Sequence, residues 1–379
     1  MFQIALKMLW GDKAKYFGLV CGITFATLLM AQQISIFIGL MARTASVIQE
    51  VGAADLWVMD PRVRYIEEVE PLRDIELFNI RSVEGVAWAV PFYKGISTIR
   101  LTDGKTQQVQ LIGVDDVSLI GLSPNIIGGE ATILQQPQSA IMDKNGFNFT
   151  WPGQPIQTGK EVELNDHRLL IKGICNARPT FLTFPIVYVS YQTAKEITPP
   201  QRNKLSFVLV KSKAGISPET LAKTISKQTG LQALTQKEFA KQSINYYLTR
   251  TGIPINFGIT VFLGIIIGAA ITAQTFYIFV IENIKQFAAM KAFGVTNGQL
   301  LKLVLTQAAL VGFIGYSLGI GLTALFFKVT KDAPALTGFL LHWQVMGGSA
   351  CVITVIIIFA ILFSLRKVFT IDPAIVFKG

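Results

Sequence analysis

Residues 282–296 read E-N-I-K-Q-F-A-A-M-K-A-F-G-V-T and lie between two long apolar stretches of the chain. Phe287, Met290 and Phe293 recur at the spacing of one helical face, and Gly294 is the residue type that most often ends a helix. The pattern predicts a short helix between two hydrophobic segments. It is the only sizeable connection expected on its side of a membrane.

Four apolar stretches, at residues 17–41, 253–281, 303–327 and 345–365, contain no charged side chain. Each has roughly twenty residues or more, enough to cross a hydrocarbon core of about 30 Å. The composition agrees, since 51% of the residues are hydrophobic and only 15% are charged. The expected fold is a membrane protein with four transmembrane α-helices. A large mixed α/β domain, residues 42–252, would separate the first helix from the second.

The distribution of basic residues predicts the orientation. Segments 1–16, 282–302 and 366–379 together hold nine Lys or Arg against three acidic residues, whereas the short loop 328–344 holds two Lys and one Asp. Cytoplasmic loops carry the excess of basic residues, so we expect both termini in the cytosol and the large domain in the periplasm. Much of the net charge of +10 is then a topology signal. No nucleic-acid partner is expected.

The first sixteen residues have a pattern of their own. Phe2, Leu6, Leu9 and Trp10 fall at helical spacing, which favours an amphipathic helix lying in the cytosolic interface over residues 1–16. A simple extension of the first span fits the same residues. The following apolar run is too long for the core of a cleaved signal peptide.

Within residues 42–252, alternating apolar residues predict several strands and two subdomains. Asp103-Gly104 and Asn165-Asp166 are turn signals between pairs of them, and Ser217-Pro218 is typical of a helix start. Predicted strands cover residues 56–59, 88–101, 107–114, 161–164, 167–174, 186–190 and 205–210. A helix over about 236–247 is expected to continue into the second span as a stiff lever.

Catalytic motifs are missing from the sequence. The cytosolic segments total about fifty residues and lack the G-x-x-x-x-G-K-[ST] pattern, so the chain cannot build a nucleotide-binding domain of its own. H-E-x-x-H does not occur, and the one G-x-S-x-G match, at residues 315–319, lies inside an expected span and not on a strand-to-helix turn, so it is no nucleophile elbow. The two histidines, His167 and His342, are far apart, and three cysteines are scattered. We therefore expect no catalytic residue, no cofactor and no metal site.

The loop resembles a known signature, E-R-x-R-E-I-G-x-L-R-A-L-G-A-S, from permeases of the MacB, lipoprotein-release and FtsX group of ABC transporters. Their order of one span, a large outer domain and three spans is also similar. Five positions agree with the signature: Glu282, Lys291, Ala292, Gly294 and Thr296. Gln286 replaces its second acid and Ala288 its first glycine. The departures leave the helix intact but remove a carboxylate.

Two shorter motifs resemble one branch of that group. Residues 54–61, A-D-L-W-V-M-D-P, and residues 372–379, D-P-A-I-V-F-K-G, look like the DevC-type permeases of cyanobacterial exporters of heterocyst glycolipids. Residues 7–13 also resemble the group's interfacial helix. The branch resemblance implies export of a glycolipid or another amphiphile.

The resemblance also implies partners and a site. The chain would be a non-catalytic homodimeric subunit in the inner membrane, bound to a cytosolic ABC ATPase, a membrane-fusion adaptor and a TolC-like outer-membrane channel. Nucleotide-driven motion would be passed through the spans to the periplasmic domain. Phe287, Met290 and Phe293 would insert into a groove on the ATPase. The expected ATPase-coupling residues are Glu282, Lys285, Phe287, Met290, Lys291, Phe293 and Gly294.

Two other functions remain open at the level of sequence. The same mechanics would serve an FtsX-like subunit that regulates an extracellular hydrolase and transports nothing. A membrane receptor with an outer sensor domain is a further alternative, although about fifty cytosolic residues leave no room for a catalytic output module.

Overall fold

The computed structural model describes residues 13–199, 205–331, 333 and 336–369. The chain falls into two compact units: one contains residues 1–39, 252–332 and 339–379, and the other residues 40–251 and 333–338. Residues 1–12 of the expected interfacial helix and residues 370–379 of the expected cytosolic tail lie outside the described part of the chain.

The described residues contain eleven α-helices and ten strands. The helices are α1 (Lys13–Arg43), α2 (Ser46–Glu50), α3 (Asp74–Arg81), α4 (Lys144–Thr150), α5 (Tyr191–Ile197), α6 (Pro218–Thr229), α7 (Gln236–Arg250), α8 (Ile253–Glu282), α9 (Ile284–Ala292), α10 (Asn297–Thr330) and α11 (Trp343–Phe369). The strands are β1 (Leu56–Met59), β2 (Val86–Leu101), β3 (Thr106–Val114), β4 (Ile126–Gly128), β5 (Ser139–Asp143), β6 (Lys160–Leu164), β7 (His167–Cys175), β8 (Ile186–Ser190), β9 (Phe207–Ser212) and β10 (Gln232–Thr235).

Four helices of the first unit are long and apolar enough to span a bilayer. They cover Tyr16–Arg43, Ile253–Glu282, Asn297–Thr330 and Trp343–Ser364, and the mixed α/β domain lies between the first and the second of them. The expected fold class is confirmed. The third span begins at Asn297, earlier than the expected residue 303, because Thr296 caps a helix there.

Glycines let these helices approach closely. A Cβ atom added to Gly268 of α8 would lie 2.3 Å from Cβ of Ala26 in α1, and one added to Gly319 of α10 would lie 2.5 Å from Cβ of Thr27. The Thr24 hydroxyl donates to the carbonyl of Gly315 at 3.1 Å. Small residues are the usual means of close helix packing in membranes, where burial of apolar surface supplies little drive. Helix α1 is therefore packed tightly against both α8 and α10.

The second unit contains a four-stranded antiparallel sheet in the order β10-β1-β9-β2. Successive side chains of a strand point to opposite faces. Leu56 and Val58 of β1 accordingly pack with residues of α3 and α6, whereas Trp57 and Met59 pack with Phe239 of α7. The element order β1-α3-β2 and β9-α6-β10 is the split βαβ arrangement of ferredoxin-like folds.

Strand β2 is sixteen residues long and joins this sheet to a small barrel. Its second half pairs with β3 and with β6, and the circuit β2-β3-β8-β5-β7-β6 closes on itself. Pairs β3–β8 and β5–β7 are parallel. Apolar side chains such as Leu111, Met142 and Val187 fill the interior, so the barrel is a packed core and encloses no channel.

Both predicted hairpin turns are present. Gly104 has φ 84° between β2 and β3. Asn165 and Asp166 have φ 49° and 64° between β6 and β7, as a two-residue turn with both central residues left-handed requires.

The expected continuous lever does not form. Helix α7 ends at Arg250, and Thr251 has extended dihedral angles, φ −119° and ψ 159°. Helix α8 starts after Gly252 with Ile253 and Pro254. A proline in the first turn starts a helix but cannot continue one. The predicted lever is therefore wrong, and two separate helices replace it.

Candidate functional site

The predicted coupling loop forms a short helix, α9, between the second and third spans. Asn283 ends α8 and begins α9. Its side-chain amide donates to the carbonyl of Phe279 at 2.8 Å. Its own carbonyl accepts from the backbone N–H groups of Gln286 and Phe287, at 3.0 and 3.1 Å. One residue thus satisfies the last turn of one helix and the first turn of the next.

Gly294 ends α9, as predicted. The N–H of Val295 donates to the Met290 carbonyl at 3.0 Å, and that of Gly294 donates to the Lys291 carbonyl at 2.9 Å. These two bonds form a Schellman motif, and the glycine takes the left-handed conformation that the motif needs, with φ 88°. The chain therefore turns sharply at this residue.

Thr296 then starts α10 with a capping box. Its hydroxyl accepts from the N–H of Gln299 at 3.4 Å, and its own N–H donates to the Gln299 side-chain oxygen at 3.0 Å. The last positions of the signature thus have structural roles, since the glycine stops one helix and the hydroxyl residue starts the next. The sequence pattern Thr-x-x-Gln could have predicted this capping box, which the sequence analysis missed.

The inner side of α9 is part of the core of the helical unit. Phe287 and Ala288 have 0% of their surface exposed, and they pack in one cluster with Leu300, Leu303 and Val304 of α10. The expectation that Phe287 projects toward a partner is wrong, because the flanking spans cover it. Ala288 occupies the position of the signature's first glycine, where a buried methyl group is accommodated.

The outer side is a corner formed by the end of α9 and the start of α10. Phe293 is 89% exposed, which is unusual for a large aromatic side chain. Residues 292–294 and 296–299, which we call the exposed corner, are all solvent-accessible. Glu282, Lys285 and Gln286 are exposed on the same helix–loop segment, whereas Met290 and Lys291 are half-buried.

The seven predicted coupling residues therefore separate into two groups. Phe287 and, in part, Met290 anchor α9 to the spans. Phe293 and Gly294 belong to the exposed corner, with the charged residues Glu282, Lys285 and Lys291 along the flank of the helix. This arrangement presents one large apolar side chain on a rigid turn with mixed charge beside it. Such a surface is suited to binding a groove on another protein.

A second feature of the helical unit is an apolar cavity between α1 and α8. Its volume is about 330 Å³, and its wall includes Phe37, Phe257, Val261, Phe262 and Gln33. The Phe37 and Phe257 rings lie 5.5 Å apart. Gln33 is the polar residue of this lining, so the cavity is suited to a hydrocarbon group.

Comparisons with known proteins identify both units. The profile of the MacB-like periplasmic core domain matches residues 17–228, more than half of the chain. The profile of the FtsX-like permease C-terminal region matches residues 258–373, which include α9 and the last three spans. No curated protein matches the chain significantly.

Three solved structures are similar to the chain at low identity. The extracellular domain of the noncanonic ABC-type transporter YknZ from Gram-positive bacteria has 15% identity and a TM-score of 0.36, and the match covers 48% of this chain and 98% of that chain. The periplasmic region of MacB from Actinobacillus actinomycetemcomitans has 15% identity and a TM-score of 0.37, and the match covers 52% of this chain and 95% of that chain. A domain of a putative permease protein from Porphyromonas gingivalis has 14% identity and a TM-score of 0.33, and the match covers 49% of this chain and 90% of that chain.

Permeases of this kind are generally non-catalytic membrane subunits and work with ABC ATPase partners. The four apolar helices, the domain between the first two and the two profile matches agree with each other. The chain belongs to the MacB/FtsX-like family of ABC transporter permeases.

Proposed function

We propose that this chain is the permease subunit of an ATP-driven exporter in the inner membrane. A separate cytosolic ATPase docks on the exposed corner, and its motion is transmitted through the spans to the α/β domain in the periplasm. Both termini are then cytosolic, in agreement with the basic residues of the flanking segments. The observation that carries the proposal is Phe293, which is 89% exposed on a corner otherwise fixed by capping bonds.

Rigidity of the corner is what makes it suitable for receiving force. Caps at Gly294 and Thr296 hold its two helix ends, and Asn283 fixes the start of α9. Phe287 fixes α9 in the packed core of the spans. A push on Phe293 is therefore transmitted to α8 and α10 and is not absorbed by bending of a loose loop.

The charges beside Phe293 favour a partner groove with acidic groups. Lys285 and Lys291 of α9 outnumber Glu282 at the end of α8, and exposed ion pairs contribute to orientation and association rate more than to affinity. Phe293 would contribute most of the binding free energy, because aromatic side chains that fill a partner's pocket dominate such interfaces.

The proposed cargo is a glycolipid or another amphiphile, taken from the outer leaflet or the periplasm and passed to an adaptor and a TolC-like channel. The apolar cavity between α1 and α8 supports an amphiphile, and the resemblance of residues 54–61 and 372–379 to the DevC branch supports a glycolipid. Affinity purification of the intact complex tests this part. An adaptor and a second copy of the chain are expected, and a peptidoglycan hydrolase in their place would favour the regulatory alternative.

Phe293→Asp tests the docking site. A charged side chain cannot fill an apolar groove, so we expect at least tenfold weaker association with the ATPase, equivalent to about 1.4 kcal/mol, and no ATP-driven export. Binding is measured by biolayer interferometry on the permease in nanodiscs.

Phe78→Asp is the matched control, because it makes the same change at a 59%-exposed phenylalanine of α3 in the other unit. Binding by that variant should be unchanged. Wild-type association by Phe293→Asp would refute the assignment of the corner as the docking site.

A further inference from the structure

The chain passes between its two units at four points: after Gly39, after Thr251, before Ala333 and after Gly338. On the side of the α/β unit, three segments adjoin these points. They are the junction of α1 with α2, the end of α7, and residues 333–338 between the third and fourth spans. These connecting segments are the covalent links between the spans and the α/β domain.

One loop of the barrel contacts two of these connecting segments and lies near the third. This is the β7–β8 loop, residues 176–185, and its first contact is with α2. Arg178 Nε lies 3.5 Å from Oε2 of Glu50, and Arg178 Nη1 donates to Oε1 of Gln49 at 3.1 Å. Glu50 is buried and also accepts from the Ser123 hydroxyl at 2.6 Å. The loop is therefore bound to the helix that directly follows the first span.

The second contact is with the last turn of α7, directly before the second span. The rings of Phe181 and Tyr247 lie 4.4 Å apart between centroids. Tyr247 is buried, and its ring also packs edge-on against Tyr65 at 5.4 Å. Aromatic pairs at this distance contribute beyond the area that they bury.

The loop also lies near the connection between the third and fourth spans. A Cβ atom added to Gly338 would lie 3.8 Å from Cγ of Pro179. Beside it, the carbonyl of Thr337 accepts from the guanidinium of Arg43 at the end of α1. Thr337 is thus held by the end of the first span, close to the loop.

The loop itself is firmly attached to the barrel. At its start, the N–H of Asn176 donates to the Asn125 carbonyl at 2.7 Å. At its end, the buried Asp143 carboxylate accepts from the N–H of Ile186 at 2.6 Å. Thr183 has φ 55°, a conformation that is strained for a β-branched residue and persists only where the surroundings enforce it.

We infer that the β7–β8 loop is the element through which the segment after the first span and the segment before the second span act together on the barrel. Motion of either segment is imposed on the loop through Arg178 or Phe181. The barrel follows because both ends of the loop are hydrogen-bonded to it. This inference rests on the proposed function for its direction of force, but the contacts that it names can be tested without transport.

The test is hydrogen–deuterium exchange on the full chain in nanodiscs, with Arg178→Met combined with Phe181→Ala. We expect several-fold faster exchange in the two contacted segments, at residues 44–51 and 243–251, because each loses a contact that holds it. The matched control is Arg168→Met combined with Phe78→Ala, which makes the same changes at two exposed residues of the α/β unit outside the loop. Faster exchange confined to the loop, or none, would overturn the inference.

A second arm separates the inference from the proposed docking site. With the ATPase bound and trapped by ATP and vanadate, exchange at residues 176–185 should change in the wild type. An unchanged loop in the wild type would overturn the inference. If the Phe293→Asp variant still shows the change in exchange, the assignment of the exposed corner as the docking site is wrong and the inference about the β7–β8 loop holds.

Discussion

Phe287 and Phe293 lie six residues apart and have opposite environments. Phe287 is buried completely among apolar side chains of the spans, whereas Phe293 follows the last turn of α9 and is 89% exposed. Both fit the apolar spacing that predicted the helix. Spacing reports that residues share a face, but it does not report which neighbouring helix covers each of them. Which of the two rings faces solvent is therefore visible only in the folded chain.

The buried environment of Asp143 makes the stability of the protein depend on pH. Burial raises the pKa of its carboxyl group from 3.8 to about 6, even though the N–H groups of Ile186 and Gly146 donate to it and favour the charged form. The native state then binds this proton more tightly than the unfolded state. Stability contributed by this group is present below about pH 4 and is lost as the pH rises through 6.

Asp143→Asn isolates this effect, because asparagine is neutral at every pH and remains a good N-cap residue for α4. Between pH 4 and 7, the wild type should lose about 3 kcal/mol of unfolding free energy relative to the variant, as two units of pKa shift imply. Urea unfolding followed by tryptophan fluorescence measures the difference. If the difference in unfolding free energy between the two proteins stays constant with pH, the raised pKa of the Asp143 carboxyl group is contradicted.

At the scale of elements, the sharp corner after α9 depends on one backbone conformation. Gly294 has φ 88°, and no atom lies within 4 Å of the position that a Cβ would occupy. Substitution there meets no steric clash with neighbours, so its cost is the left-handed conformation alone, about 1–2 kcal/mol. The corner is therefore sensitive to the residue type at 294 and tolerant of its size.

Gly294→Ala should weaken ATPase association several-fold without unfolding the spans, because the Schellman turn distorts and Phe293 shifts. Gly294→Asn should bind closer to the wild type, since asparagine tolerates left-handed dihedral angles. Gly321→Ala is a matched control within α10 and outside the exposed corner, where no Cβ contact arises and φ is not positive. Equal binding by all three variants, measured as for Phe293→Asp, would show that the turn geometry is unimportant.

For the whole molecule, local patterns predicted a large share of the fold. The four spans follow from composition, the two hairpins from Asp103-Gly104 and Asn165-Asp166, and the start of α6 from Ser217-Pro218, whose hydroxyl caps the helix as expected. In each case the deciding interactions lie within a few residues of the signal.

Long-range features could not be predicted in this way. Parallel pairing of β3 with β8 joins residues 76 positions apart, and the closed barrel depends on β2 being shared between two sheets. The break at Thr251 and the contacts of Arg178 and Phe181 depend on segments that are distant in sequence. No periodicity within a single window contains that information.

The proposed function requires that the exposed corner contact an ATPase in the cytosol. The most direct measurement is photo-crosslinking in intact cells with p-benzoylphenylalanine at position 293, and at the buried position 287 for comparison. An adduct with the ATPase subunit is expected from position 293 and not from 287. Absence of that adduct at 293, or an adduct with a periplasmic protein, would contradict the account.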